Sequence, residues 1–487
     1  AVLGMLSLAG FYTYELAAER DRAKAEATRA NQTALFLRNL FRLSDPDESG
    51  GETITARMLL DQGVRQLDLT LGEQPQIRAQ LQTTMGEVYA SLGILEEAGK
   101  LLDTARGELE KTTPLPRAEL VTTLNALSAV RMRLDKFEDA HKFAEQAIAL
   151  ANGTDDILPF ASELEKANAF TMESRHEEAI ALLQDMRSRL EQAAMTDTAL
   201  YASTLTVMAE NVEINGDYDS AVSALERAVD IYLRLGGRLN GETIHAQRTL
   251  AHLYDRKRDF PASKALYDQA YEAAFQLYGE VHPTMSLVLA DMSTLHRHMG
   301  DNDTAFGYSE RALAISREVF GSEHSHVAYD MVALANLGYL ARGMSYAEPL
   351  YLEALDIYGR TVRAEHPYIA AALISYANRL ETENRHEDAR AALDRGRGVC
   401  IAALGAQHWL CGQFDTVFGI VLRKEGNEQA ATSLLLNGFE TGRVGRGVGH
   451  GATKRALQQL VENLDALGDP RAAEYRTLLE DTSSPNR

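Results

Sequence analysis

Cysteine is almost missing from this 487-residue chain: Cys400 and Cys411 are its only two. Two are too few for a disulfide framework, and they lack the close pairs that a structural zinc site needs. They read as two ordinary thiols, or as one bridge if the chain resides in an oxidising compartment. Proline is sparse as well, at 11 residues, whereas Ala, Leu, Glu and Arg, which lose little rotamer freedom in a helix, are abundant. Positive charge is in deficit. The 49 Lys and Arg face 70 Asp and Glu, for a net charge of −21, and such a surface repels a phosphate backbone, which argues against nucleic acid as a partner. Hydrophobic residues are not lacking at 45 %, so general disorder is excluded. The length exceeds what one compact core supports and calls for several domains or a repeat array.

The apolar stretch Ala1 to Tyr14 has no charge but spans only 14 residues, short of the roughly 20 that a bilayer requires. It is expected to be the end of a transmembrane helix, with a signal peptide or a buried core helix as the alternatives. A charged, Ala-rich helix is expected to follow within 15–51, stopped by Asp45-Pro46 and the flexible Gly50-Gly51. Residues 52–75 read as a degenerate capping half-repeat, with Ala56, Leu60 and Gly63 matching a second helix, and 76–487 as the repeat array.

The array is seen by aligning one small residue early in each second helix, from Ala98, Ala140, Ala179 and Ala221 through Ser263, Ala305, Ala347, Ala389 and Ala431 to Ala473. Every step is 42 residues except one of 39. Twelve residues earlier stands another small residue in nine of ten units, from Gly86 and Ser128 to Ala377 and Gly419, with Val461 last. Seven residues later comes a third, such as Ala105, Ala228, Gly396 and Gly438, while Leu102, Leu183, Leu225, Tyr267, Tyr351 and Leu393 fill large positions. Small against large is how neighbouring helices interlock. Gly93, Gly216, Gly300, Gly426 and Gly468 mark the turn inside each unit, where a positive φ ends a helix without steric cost. Each unit is therefore a helical hairpin.

Gly86-x-x-Tyr89-x-x-x-Gly93 with Ala98 and Ala105 resembles the tetratricopeptide signature, and AEPLYLEAL at Ala347 to Leu355 resembles the 42-residue variant of kinesin light chains. The inter-repeat loops agree: Gly279-x-x-His282-Pro283, Gly321-x-x-His324-Ser325, Glu365-His366-Pro367, Gly405-x-x-His408-Trp409 and Gly447-x-x-His450-Gly451 fall 42 apart. The resemblance implies an all-α, right-handed superhelical solenoid of about ten hairpins. A second resemblance, carried by the apolar start, FLRNLF, Asp45-Pro46, TARMLLDQG at Thr55 to Gly63, Gln74-Pro75 and Arg78-Ala79, is to the membrane-proximal region of bacterial serine/threonine kinases with C-terminal repeats. It implies a membrane-anchored, non-catalytic sensor half, with repeats on the extracytoplasmic (periplasmic) side. Arg20, Arg22, Lys24 and Arg29 would instead favour the cytoplasm. The kinase's Gly-rich loop, His-Arg-Asp loop and Asp-Phe-Gly site are absent, so no phosphoryl transfer is expected of this chain.

Other chemistry is weighed and set aside, leaving no catalytic residue, no metal and no cofactor. The loop histidines sit on separate hairpins, and packed helices about 8–10 Å apart cannot share a zinc that needs nitrogens at about 2.0–2.1 Å. The Arg-His-Glu runs at Arg175 and Arg385 lack a second histidine one turn on, and the glycines of Gly442 to Gly451 follow no strand. The expected partner is a protein or peptide held along the first helices, whose outward positions include Arg248 with His252, Ala290 with Thr294, Val332 with Asn336 and Ile374 with Asn378, flanked by Arg297, Tyr329 and Tyr339. Asn serves a peptide backbone through donor and acceptor, Arg clamps carboxylates, and Tyr adds apolar area with a polar tip. The Lys-and-Asn carboxylate clamp of co-chaperone repeats is not recognisable. Alternatives to the kinase-linked sensor are a stand-alone membrane-tethered scaffold and the helical regulatory arm of a transcription regulator.

Overall fold

The computed structural model describes residues 56–481, apart from 72–73, 93, 135, 153–156, 174 and 215. Every regular element among the described residues is an α-helix, and the chain divides between Met195 and Thr196 into two compact units. In the first unit a single helix, α1 (Ala56–Thr70), precedes three hairpins: α2 (Pro75–Ser91) with α3 (Leu95–Leu109), α4 (Arg117–Arg133) with α5 (Phe137–Ala151), and α6 (Leu158–Met172) with α7 (His176–Gln192). The second unit stacks seven more. They are α8 (Ala199–Ile214) with α9 (Tyr218–Gly236), α10 (Gly241–Arg256) with α11 (Phe260–Tyr278), α12 (Pro283–His298) with α13 (Asn302–Phe320), and α14 (Ser325–Arg342) with α15 (Met344–Thr361). The series ends with α16 (Pro367–Thr382) and α17 (His386–Leu404), α18 (Trp409–Lys424) and α19 (Glu428–Arg446), and α20 (Gly451–Leu467) and α21 (Ala472–Asp481). The fold is thus an all-α solenoid of ten hairpins, as the spacing predicts.

The crossings follow from the small residues. Ala98, Ala140, Ala179, Ala221, Ala305, Ala347, Ala389 and Ala431 are fully buried, and opposite them so are Ser128, Ala167, Ala251, Ala335 and Ala377. At Gly86 an added Cβ would stand 2.7 Å from Cγ of Leu102, and at Gly419 the same distance from Leu435. Where serine takes this place its hydroxyl is used: Ser128 Oγ donates to the Ala140 carbonyl at 2.9 Å and Ser293 Oγ to that of Ala305 at 2.7 Å. The large positions Leu102, Leu183, Leu225, Tyr351 and Leu393 are fully buried between these crossings, each contributing about 1.5–3 kcal/mol by leaving water. In the last hairpin the register shifts by one residue: Ala472 is buried and Ala473 exposed, and α21 begins only at Ala472, after the turn through Asp469-Pro470.

Two ladders of caps start the helices of the second unit. Asp217, Asp259, Asp301 and Asn427 accept from the backbone N–H three residues on, at 3.1–3.3 Å, and open α9, α11, α13 and α19. The five loop histidines do the corresponding work for the first helices. Nδ1 of His282, His324, His366, His408 and His450 accepts from the N–H two residues on at 3.1–3.3 Å, satisfying one of the orphan donors of a helix start. Gly216, Gly300, Gly426 and Gly468 have φ between 65° and 84°, the conformation that ends the first helix of a hairpin. Gly93 lies outside the described residues.

Of the two alternatives for the cysteines the bridge is observed, and one sequence expectation changes. Cys400 and Cys411 are joined by a disulfide that ties α17 to α18 across the Gly405 loop. Membrane anchorage is corrected in every form in which it was expected, as a membrane contact, a membrane-anchored localisation and an extracytoplasmic placement of the repeats. Among the described residues no helix is long and apolar enough to cross a membrane; the longest run to 19 residues and carry several charges, as in Tyr218–Gly236, short of the roughly 20 apolar residues a span requires. Residues 1–14 and 15–51, on which that expectation rested, lie outside the described residues.

Candidate functional site

Hairpins repeated in one register bring the same helical positions together along one side of the second unit. Two such columns run through its first helices: Glu210, His252, Thr294, Asn336 and Asn378, and three residues further on Glu213, Asp255, Arg297, Tyr339 and Glu381. Between α10 and α16 these columns border a cavity of about 940 Å3, within the range of ligand-sized clefts. Arg248, Asp291, Arg297, Tyr329, Asn336, Tyr368 and Arg379 all line it. A second cavity of about 450 Å3 adjoins it at Asn336 and Arg379, with Ser375, Asn378, Thr382 and Arg455 on its walls.

The seven residues singled out by sequence take different places. Arg248 is locked to Asp291 through two nitrogens, each 2.8 Å from the carboxylate. Burial pushes the Asp291 carboxyl up, and the Arg248 guanidinium opposes that shift. Arg297 reaches the cavity from the end of α12 and touches His298 at 2.8 Å. Burial lowers its pKa, and Arg379 adds to the lowering against the pull of Asp255. Tyr329 is 53 % exposed on α14, with its ring 5.9 Å from that of Tyr368. Asn336 accepts from the buried Tyr351 hydroxyl at 2.8 Å, so its amide NH2 is the end left for the cavity.

The other three lie apart from the main cavity. His252 sits 3.2 Å from Glu213, whose hydrogen bond raises the imidazole pKa. Tyr339 donates to Glu383 at 2.8 Å and carries the Arg379 guanidinium 4.7 Å above its ring. Asn378 gives its NH2 to the Ile374 carbonyl at 2.8 Å and its oxygen to Arg455, and borders the smaller cavity. Ile374, expected to point outward, is 4 % exposed and belongs to the core, because α16 is packed by its neighbours on that side.

Arg379 is the residue that sequence reasoning passed over. Its register position holds Leu253, Leu295, Leu337 and Val421 in four other hairpins, all buried. An arginine in a column whose other second-unit members are Leu, Val or Asn is the signal that could have found it. Asp330 was also missed; Ser316 donates to it at 2.6 Å, and burial pushes its carboxyl up to about 6. Among the described residues no group of three or more His, Cys, Asp or Glu is placed to hold a metal ion. The cleft is lined by hydrogen-bond donors and by the rings of Tyr329 and Tyr368.

Comparison with known proteins agrees with the repeat register. Tetratricopeptide repeat profiles match residues 200–274 and 288–326. A kinesin light chain-related protein of Arabidopsis thaliana is 24% identical over 395 residues, covering 77% of this chain and 58% of its own length. This chain therefore spans less than two thirds of that relative. Among solved structures, a Podosopora anserina putative kinesin light chain with nearly identical repeats is 18% identical, with a TM-score of 0.36 over 41% of this chain and 94% of its own. A Rap protein complexed with competence and sporulation factor is 13% identical, with a TM-score of 0.45 over 82% of this chain and 99% of its own.

Proposed function

We propose that this chain, whose repeats resemble those of kinesin light chains, is a non-catalytic scaffold that holds an extended segment of a partner protein in the cleft between α10 and α16. The supporting observation is the cavity of about 940 Å3, into which Asn336, oriented by Tyr351, and the half-exposed rings of Tyr329 and Tyr368 face together. An amide that has spent its oxygen on the protein keeps its donors for a backbone carbonyl, and tyrosines supply contact area at small entropic cost.

The regulatory-arm reading, in which segment binding is passed to an effector domain, is preferred to kinase parentage. Most of the residues that carried the kinase resemblance precede Ala56, outside the described residues, and none of the relatives named above is a membrane-anchored kinase. Selection of a displayed random peptide library on the full chain tests the binding function. Selected peptides should lose at least ten-fold in affinity for a Tyr329→Ala/Asn336→Ala variant that melts like the wild type, since anchors of this kind are worth about 1–2 kcal/mol each. Peptides that bind both proteins equally would move the function away from the cleft.

A further inference from the structure

Equivalent positions of successive hairpins meet in the same way along the array, and one such meeting in the second unit is an ion pair. Arg248 stands 15 residues before Ser263, Asp291 stands 14 before Ala305, and two nitrogens of the arginine lie 2.8 Å from the carboxylate. In the first unit the same two positions hold Asn125, 15 residues before Ala140, and Glu165, 14 before Ala179. The acid is present there and the guanidinium is missing. Glu165 has no ion pair among the described residues; it accepts a hydrogen bond from Asn168 on its own helix, and burial pushes its carboxyl up to about 7. Oδ1 of Asn125 is buried and has no hydrogen-bond partner. Both residues line a cavity of about 450 Å3 between α2, α4 and α6, with Ala126, Ala129, Val130 and Leu158 as its apolar wall. Glu87 on α2 borders the same cavity, and burial raises its carboxyl as well. Arg133, the one cation on the wall, donates to the Ala90 carbonyl, and neither carboxyl is lowered by its charge. A carboxylate drawn out of water without a counter-ion, beside a buried carbonyl oxygen without a donor, lacks a group that brings positive charge and several N–H bonds at once.

We propose that this cavity of the first unit is a guanidinium-binding site, where a ligand's guanidinium takes the place that Arg248 fills against Asp291, with Glu165 as counter-ion and Asn125 Oδ1 as a second acceptor. A guanidinium offers a planar fork of donors that a carboxylate accepts in pairs, and its outer N–H groups remain for the amide oxygen. Its alkyl stem lies on Ala126, Ala129 and Val130, as such stems cover apolar surface elsewhere. Glu87 adds negative charge from α2. The net charge of −21 favours the approach of a cation. Every residue of the site belongs to the first unit, so the site is independent of the segment-binding cleft between α10 and α16. The guanidinium comes either from an arginine side chain of a partner or from a free alkylguanidine, and the two sources are separable.

The test measures binding of two fluorescein-labelled, end-blocked peptides to the full chain at low salt. Their sequences are Gly-Ser-Gly-Arg-Gly-Ser and the same with citrulline for arginine, which keeps the shape and removes the charge. The arginine peptide should bind at least ten-fold tighter. That preference should vanish in Glu165→Gln and persist in Glu138→Gln, which removes an exposed carboxylate from α5. Asn125→Arg supplies the missing guanidinium from within the chain, so it should abolish the preference while raising the melting temperature, which a misfolded variant does not do. Butylguanidine that displaces the peptide with the same affinity identifies a free compound as the source; displacement only at hundred-fold higher concentration identifies an arginine of a polypeptide. Equal binding of the two peptides, no detectable binding of either, or a preference that survives Glu165→Gln or Asn125→Arg overturns the site. A preference lost equally in Glu138→Gln is an effect of surface charge and overturns it too.

Discussion

At the scale of single residues, the molecule depends on places where nothing larger fits. Gly438 on α19 faces Gly412 and Thr416 on α18 so closely that an added Cβ would lie 2.1 Å from the Thr416 hydroxyl and 2.7 Å from the Gly412 carbonyl oxygen. A backbone carbonyl cannot swing away as a side chain does, so the two helices must part. Gly438→Ala is expected to cost about 1–3 kcal/mol, the usual range for overpacking, as read by chemical denaturation, even though alanine is the commonest residue of that column elsewhere in the array. An unchanged stability would mean that the crossing is looser than its geometry. The same scale accounts for Arg379: in a column of otherwise uncharged buried residues, Asn211, Leu253, Leu295, Leu337, Val421 and Asn463, it alone places a charge.

Between successive helices, capping decides where each one starts and makes the array sensitive to acid. His282, His408 and His450 accept a backbone hydrogen bond through Nδ1, which requires that nitrogen to be unprotonated. Burial lowers the pKa of all three, and Arg446 adds to the lowering at His408 and His450. Protonation would turn the acceptor into a donor facing an N–H and set a cation at the positive end of a helix. A group whose folded pKa lies below its unfolded value, about 6.5 for histidine, contributes fully above that value, and the contribution is lost as pH falls through the folded pKa. His252 runs the other way, since Glu213 raises its pKa. The melting temperature of the wild type should therefore fall between pH 7.5 and 5 more steeply than that of His282→Asn/His408→Asn/His450→Asn, in which a non-titrating acceptor keeps each cap. The difference should approach about 1 kcal/mol per site; parallel pH profiles would show that the caps do not titrate with folding.

For the whole molecule, two compact units divided at Met195/Thr196 and a one-dimensional stack of hairpins argue against all-or-none unfolding. The disulfide between Cys400 and Cys411 closes an 11-residue separation entirely within the second unit, and such a loop stabilises by about 3 kcal/mol through the unfolded state. Calorimetry of the full chain should show more than one transition, and a reductant should lower only the one belonging to the second unit. A single transition, or a reductant effect on every transition, would argue against this division. The cleft also belongs to this scale, since three to four consecutive hairpins of the second unit are needed to form it.

Much of this protein was legible before any coordinates, because a helix crossing tolerates only small residues and a repeat must place them at a fixed period. The 42-residue step from Ala98 to Ala473, interrupted once, determined the helical hairpins and their number, and as far as Ala431 the burial of the small landmark column. It also placed the loop histidines at equivalent points, although not their work as caps, which depends on ring orientation. Sequence periodicity could not say which outward positions stay open. Arg248 and His252 were occupied by Asp291 and Glu213 from neighbouring hairpins, Ile374 was packed away, and Asn378 turned back to its own helix, since side-chain pairing is settled by distances between hairpins. The same distances brought Arg297, Asn336 and Arg379 to one cavity and Cys400 to Cys411, and only the tertiary structure decides such meetings, because each joins residues from different helices whose side-chain directions no spacing along the chain specifies.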